Sequence, residues 1–291
     1  MPPLLRVDDL QIRFPRYARG LSHRHLTVVE GMDLEVDDGE VVALVGASGA
    51  GKSLLAYAVL GFLPESALAS GTVTWRGEPL APAGRRALAG QELVLLPQQL
   101  TALDPTATVG AQVRRAARLV GCPMDEGLGR LHDSGLEPGV ERLYPHQLSG
   151  GMARRVLRTI SLLGDPALVI ADEPTPGLGR RGADEVLDHL RGLADAGTGV
   201  LLITHDIGTA VRVTDRVVVA HQGRTVDTVP ATDFTGTGAR LTHPYTRALW
   251  NALPGNAFTA ALDPTPNPVR QVEVPHDRRP TPHAATPATP C

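Results

Sequence analysis

Eight consecutive residues, Gly46-Ala47-Ser48-Gly49-Ala50-Gly51-Lys52-Ser53, carry the most specific chemistry in the chain. They fit G-x-x-x-x-G-K-[ST], a spacing in which small residues let backbone N–H groups curl around a polyphosphate. Lys52 is the only lysine; of 28 basic residues the other 27 are arginine. Codon preference for arginine explains the 27 but not where the exception falls. A compact ammonium on a flexible stem reaches β- and γ-phosphate oxygens as a point charge, which a planar guanidinium does not replace. The hydroxyl of Ser53 completes the pattern as a ligand for the Mg²⁺ that accompanies a triphosphate. A second cluster, Val169-Ile170-Ala171-Asp172-Glu173-Pro174, places two acids at the exit of an apolar run. With a phosphate loop present, one carboxylate is needed for the metal shell and one to polarise an attacking water. Asp172 suits the first role and Glu173 the second. A third cluster, Leu148-Ser149-Gly150-Gly151-Met152, sets a serine and two glycines at the start of a helical pattern, a further N-terminal anion site. Two phosphate-gripping elements in one chain are an excess for one nucleotide. Two chains facing each other resolve it, each nucleotide lying between one Lys52 loop and the other chain's Ser149 turn.

The elements that must position these groups are legible in outline. The run 40–45 is short, apolar and β-branched, and predicts a buried parallel strand; 52–60 predicts a helix ended near Gly61. Strand, glycine-rich turn and helix together aim the unpaired N–H groups of a helix N-terminus at phosphate. The runs 93–96, 167–171 and 199–204 repeat the strand theme, and 181–194 and 207–213 read as helices. This alternation predicts an α/β fold with a largely parallel sheet. The runs 73–75, 216–220 and 225–226 are expected to be antiparallel and peripheral. Between Pro105 and Leu163 no strand is expected; 109–120, 125–131 and 149–163 predict a helical subdomain, about 99–164, inserted into the sheet domain.

Composition excludes several classes. A net charge of −3 supplies no global field for nucleic acid or anionic lipid. Two cysteines, Cys122 and Cys291, are too few and too far apart for a disulfide scaffold or a C-x-x-C metal site. The first residues lack the basic-then-apolar pattern of a signal peptide, and no apolar run approaches the ~18 residues that span a bilayer. Any membrane role must come through a partner. The segment 259–291 holds eight prolines and little apolar material, and predicts a disordered tail after a domain at 1–258.

Taken together, these motifs resemble the ATP-binding cassette (ABC) ATPases, specifically the oligopeptide, dipeptide and nickel importer branch, over about residues 4–254. Gly46 to Ser53 is similar to Walker A, Leu148 to Met152 to the signature motif and Leu168 to Glu173 to Walker B. Gln98 falls at the Q-loop glutamine, His205 at the switch histidine, and Phe14 at the aromatic that stacks on adenine. The branch resemblance rests on Thr101-Ala102-Leu103-Asp104-Pro105, Tyr144-Pro145-His146-Gln147 and His243-Pro244-Tyr245-Thr246-Arg247-Ala248-Leu249. It implies a P-loop NTPase (RecA-like) core with a peripheral antiparallel β-subdomain and the inserted helical subdomain. It also implies ATP and Mg²⁺ as cofactors: Ser53, Gln98 and Asp172 toward the metal, and Glu173, His205, Gln98 and Lys52 as the hydrolytic set. Gly46, Ser48, Gly49, Ala50, Gly51 and Lys52 with Ser53, Phe14 and the signature residues would hold nucleotide.

The implied partners are a second ABC ATPase chain, two membrane permease subunits and, through them, an extracytoplasmic solute-binding protein, with no nucleic acid. The implied place is the cytoplasmic face of the cell membrane, as a peripheral subunit. The implied function is ATP hydrolysis that energises uptake of peptides, nickel or a related small solute through the permease. The alternative is a soluble ABC ATPase of a metabolic complex, such as phosphonate degradation. Departures from the pattern stand beside the matches. Gly179 occupies the position where the D-loop aspartate is expected, and Arg154 stands where a glutamine is usual. The first puts communication between two ATP sites in doubt and suggests pairing with a different ATPase chain. The tail offers only Cys291, so no iron–sulfur cluster is expected.

Overall fold

The computed structural model describes residues 2–17, 23–96, 102–253 and 271–272, the side chains at 17, 23, 24, 271 and 272 excepted. The chain opens with two long strands, β1 (Leu5–Tyr17) and β2 (His23–Val36), then β3 (Val41–Gly46) and helix α1 (Lys52–Leu60). Next come β4 (Leu68–Trp75), β5 (Glu78–Pro79), α2 (Pro82–Leu88) and β6 (Leu93–Leu96). Helices α3 (Val109–Val120), α4 (Met124–Asp133) and α5 (Gly150–Leu162) precede β7 (Leu168–Asp172), α6 (Arg180–Asp195), β8 (Gly199–Thr204) and α7 (Ile207–Ala210). The last elements are β9 (Arg216–His221), β10 (Arg224–Pro230), α8 (Pro244–Asn251) and β11 (Gln271–Val272).

One sheet runs through the molecule in the order β5-β4-β1-β2-β10-β9-β3-β8-β7-β6, with β11 against β2. From β9 to β6 every pairing is parallel. Toward the other edge β1 pairs antiparallel with β2 and β4. All six residues of β3 are buried because both faces of the sheet are covered. The side-chain period of two sends Val42 and Leu44 to one core, shared with α1 and the antiparallel strands. Val41, Ala43 and Val45 face the other core, shared with α6 and α8.

The strand at 216–220 is corrected in position and direction. β9 is an inner strand, parallel to β3 in the register Val42↔Arg216 to Gly46↔Ala220, and only its pairing with β10 is antiparallel. Its four central residues are buried, the signature of a strand covered on both faces. The short hairpin turn after it does form, but it sets only the β9–β10 side antiparallel. The helix expected over 207–213 stops at Ala210. In chain order α3, α4 and α5 fall between β6 and β7, around a core of their own that includes Val113, Leu131 and Val156. Most of 259–291 lies outside the described residues; Gln271–Val272 pair antiparallel with Leu26 and His25.

Candidate functional site

The site forms where three neighbouring parallel strands end. β3 runs directly into the phosphate loop, β7 ends at Asp172, and β8 ends at Thr204 beside it, so loop, acids and His205 emerge at one carboxyl edge. Ligands of open α/β sheets bind at such an edge. Two loop glycines are required by geometry. Gly46 has φ 156°, and a Cβ there would collide with the carbonyl oxygen of Ala220 on β9. Gly51 has φ 89°, and a Cβ there would stand 2.8 Å from Val29 Cγ2. Both positions lie in backbone regions that favour glycine.

A cavity of about 340 Å³ opens over the loop, lined by Ser48 to Leu54 together with Val28, Glu173 and His205. Lys52 is only 7% exposed, and its Nζ donates to the Gly46 carbonyl at 2.9 Å and the Ala47 carbonyl at 3.1 Å. Burial pulls the ammonium below its ordinary pKa, against the opposing pull of Glu173 and Asp172. Burial pushes Asp172 above the usual carboxylate range and nearby Glu173 adds to the rise; the hydrogen-bonding Ser53 hydroxyl and Lys52 pull it back. Asp172 Oδ1 is buried with no hydrogen-bond partner. A buried acceptor left without a partner is the kind of atom that a cation satisfies. Ser53 and Asp172 fit Mg²⁺, which takes one or two protein oxygens and completes its shell with phosphate and water. No cluster of three or more His, Cys, Asp or Glu able to hold a metal occurs among the described residues.

Glu173 holds a left-handed backbone, φ 47°, unusual for a residue with a side chain. Its N–H donates to the Ile203 carbonyl at 2.8 Å, which fixes the turn out of β7. One carboxylate oxygen lies 2.8 Å from His205 Nδ1 and the other accepts the Thr204 hydroxyl at 3.4 Å. An ionised Glu173 requires hydrogen on Nδ1, so in a neutral ring Nε2 is left as an acceptor. Glu173 thus reaches the cavity as a base already oriented by two neighbours.

Lys52, Ser53, Asp172, Glu173 and His205 therefore come together as the sequence predicts. Ser149 caps α5 by accepting the Met152 N–H at 3.3 Å, and Ser149, Gly150 and Gly151 are exposed. Leu148 to Met152 are not among the residues lining the phosphate-loop cavity. Phe14 is half-buried against the core, also apart from that lining, and Val28 on β2 takes a place at the cavity that sequence reasoning missed. Thr204 was missed as well; its signal is a hydroxyl residue directly before His205 at a strand end. Gln98 lies outside the described residues. Gly179 is exposed at the start of α6, with nothing within 4 Å of where a Cβ would stand. No helix among the described residues is long and apolar enough to cross a membrane.

The family model described as ABC transporter matches residues 29–176. The oligopeptide transport ATP-binding protein OppD of Mycobacterium tuberculosis is 35% identical over 267 residues, 87% of this chain and 42% of that protein. The chain thus spans less than half the length of that relative. The dipeptide transport ATP-binding protein DppD of Bacillus subtilis is 30% identical over 290 residues, 91% of this chain and 82% of that protein. A solved structure described as the ATP-binding subunit of an ABC transporter superposes with a TM-score of 0.63 at 30% identity, covering 79% of this chain and 91% of that one. Similarity that extends over most of this chain and of the Bacillus relative, on the same P-loop NTPase fold, means that the chain belongs to the ABC transporter family.

Proposed function

We propose that the chain binds and hydrolyses ATP as the nucleotide-binding subunit of an importer, energising uptake of a peptide, nickel or a related small solute through a separate permease. The observation that carries this reading is the convergence of Lys52, Ser53, Glu173 and His205 on one cavity over the phosphate loop, with the Asp172 carboxylate close enough to pull on the Lys52 ammonium. The names of the relatives, oligopeptide and dipeptide transport ATP-binding proteins, favour peptide as the solute class.

In this reading the loop N–H groups and Lys52 bind the β- and γ-phosphates, for which the ammonium leaves the Gly46 and Ala47 carbonyls. Ser53 and Asp172 hold Mg²⁺, which when bound neutralises charge on the phosphates. Glu173 orients a water in line with the γ-phosphorus and accepts its proton, held in place by His205 and Thr204. His205 contacts the γ-phosphate through Nε2, which requires hydrogen on both ring nitrogens, and Gln98 is assigned by the family resemblance to the link between metal and helical subdomain. Phe14 or Val28 borders the adenine. Ser149 to Met152 serve the nucleotide of a second ATPase chain, which is a different polypeptide because Gly179 replaces the acid expected there. The subunit sits peripherally on the cytoplasmic face of the membrane, bound to two permease subunits.

Glu173→Gln tests the assignment. Turnover should fall by about 100-fold or more, the usual loss of a general base. ATP affinity should stay within about threefold of the parent, because a neutral amide keeps the shape of the side chain. Full hydrolysis by this variant would refute the role of Glu173. Recovery with permease proteins after mild detergent supports import, whereas recovery only with soluble proteins supports a metabolic complex.

A further inference from the structure

A cavity of about 310 Å³ opens between α4, α5 and α6, and it shares no lining residue with the cavity over the phosphate loop. Most of its polar lining is already engaged. Arg130 donates to Asp165 at 2.7 and 2.9 Å and to Glu126 at 2.7 Å, so its charge is neutralised. The Ser134 hydroxyl donates to the Leu131 carbonyl at 2.6 Å, and the Thr159 hydroxyl to the Arg155 carbonyl at 3.0 Å. Two lining groups are left over. Arg158 of α5 is half-buried and has no hydrogen-bond or ion-pair partner among the described residues. Glu185 acts on it from beyond ion-pair distance and is itself paired with Arg181 at 3.1 Å. His189 of α6 has its Nε2 buried with no hydrogen-bond partner.

A half-buried cation without a counter-charge and a buried ring nitrogen without a partner both cost free energy that a ligand would return. Arg158 also borders a neighbouring cavity, but only this one holds the second unpartnered group, His189. Burial and the Arg158 cation hold the His189 imidazole down at about 4, so the ring is uncharged at neutral pH. With its hydrogen on Nε2 it donates one bond there. The guanidinium adds a planar fork that matches two oxygens of a carboxylate or phosphate. Asp133, the one acid on the lining, is exposed and forms no ion pair with Arg158. The volume falls at the lower end of the range for small-molecule sites, about 300–1,000 Å³.

We infer that this cavity is an oxyanion site, in which Arg158 and His189 bind the phosphate, sulfate or carboxylate group of a small molecule. An occupant would bond α5 and α6 to each other, tying the helix that Ser149 caps to a helix of the sheet core. The site is separate from the nucleotide reading and does not depend on it.

The test follows the His189 imidazole resonance of the full chain by NMR at pH 7, identified by its absence from His189→Gln. Sodium sulfate or sodium acetate is titrated in, with sodium chloride holding the ionic strength constant. The resonance should shift and saturate. A tighter sulfate assigns a phosphate- or sulfate-bearing ligand, and a tighter acetate a carboxylate-bearing one. Arg158→Met keeps the aliphatic stem and should weaken the tighter anion about tenfold or more, the value of hydrogen bonds from a charged donor. Its unfolding temperature without the anion should match the parent's. Lys52→Ala should titrate as the parent does at His189, whatever becomes of its ATP binding. A resonance that does not move, or moves without saturating, overturns the inference, and so does parent-like affinity in Arg158→Met. Loss of the His189 shift in Lys52→Ala would also overturn it, by placing the anion at the phosphate loop.

Discussion

Asp172 and Lys52 are each displaced toward neutrality, and for the same reason. Burial disfavours the charged form of both, raising the carboxyl and lowering the ammonium, and the attraction between them only partly offsets it. A folded carboxyl that titrates above its unfolded value binds its proton more tightly in the native state. Its contribution is therefore fully favourable below the usual carboxylate range and is lost as pH rises through the folded value. At pH 7 ionised Asp172, with Oδ1 unpartnered, works against folding of the nucleotide-free chain. Asp172→Asn should raise the unfolding temperature of that chain by about 2 °C near neutrality, the order expected for ~1 kcal/mol in a domain of this size. The gain should shrink as pH falls and the parent carboxyl takes up its proton, which its raised pKa brings on earlier than for an ordinary aspartate. The same variant should lose the further stabilisation that ATP with Mg²⁺ gives the parent. Calorimetric scans at pH 4 and pH 7, with and without ATP and Mg²⁺, measure all three, and an Asp172→Asn chain less stable at pH 7 would reverse the sign of the argument.

Among the elements, β3 is the one whose exact placement the site depends on, and its start is secured from outside the sheet. The Val41 N–H donates to Asp215 Oδ2 at 2.8 Å, while the Asp215 N–H donates to the Val41 carbonyl at 2.8 Å. Arg191 of α6 then grips the same carboxylate at 2.7 Å and also Asp195 at 2.9 Å. Asp215→Ala removes the acceptor of the Val41 N–H and one partner of Arg191, and should cost about 1–3 kcal/mol. Urea unfolding of the two chains checks this, and an unchanged midpoint would mean that water replaces the carboxylate at no cost. This tie was not legible in the sequence, because Asp215 and Val41 are 174 positions apart and only the β3–β9 pairing brings them together. The same pairing hid the inner place of β9. What was legible is what local patterns dictate: β3, the loop and α1, with the acids at the end of β7, follow from apolar runs and glycine spacing. So do the bounds of α3, where Thr108 caps the helix by accepting the Ala111 N–H and Gly121 ends it. Phe14 and Val28 show the limit of such reading. Which of two neighbouring strands turns a side chain toward the cavity depends on register, and β1 and β2 are irregularly paired over this stretch.

For the whole molecule, the two glycine-rich elements lie on different surfaces. The Lys52 loop closes over its own cavity, whereas Ser149 and its two glycines are exposed at the tip of α5, in the helical part of the chain. A serine-capped helix start still presents unpaired N–H groups and the positive end of the helix dipole, so an anion that docks there is stabilised and an added carboxylate repels it. Ser149→Glu therefore separates binding within one chain from assembly between chains. The isolated chain should bind ATP within about twofold of the parent, since the substitution lies outside the Lys52 cavity and surface changes of this kind are small. The assembled complex should lose hydrolysis by about tenfold or more, because about 1.4 kcal/mol of repulsion at a transferring phosphate already gives that factor. Equal losses in both measurements would place Ser149 at the nucleotide of its own chain and remove the argument for a shared site. In the proposed two-chain assembly the exposed Gly179 adds an asymmetry, because a position with open space and no side chain offers nothing to a facing chain. A lone chain should accordingly hydrolyse ATP far more slowly than the complex that contains its partner ATPase, and equal rates would mean that two copies of this chain suffice.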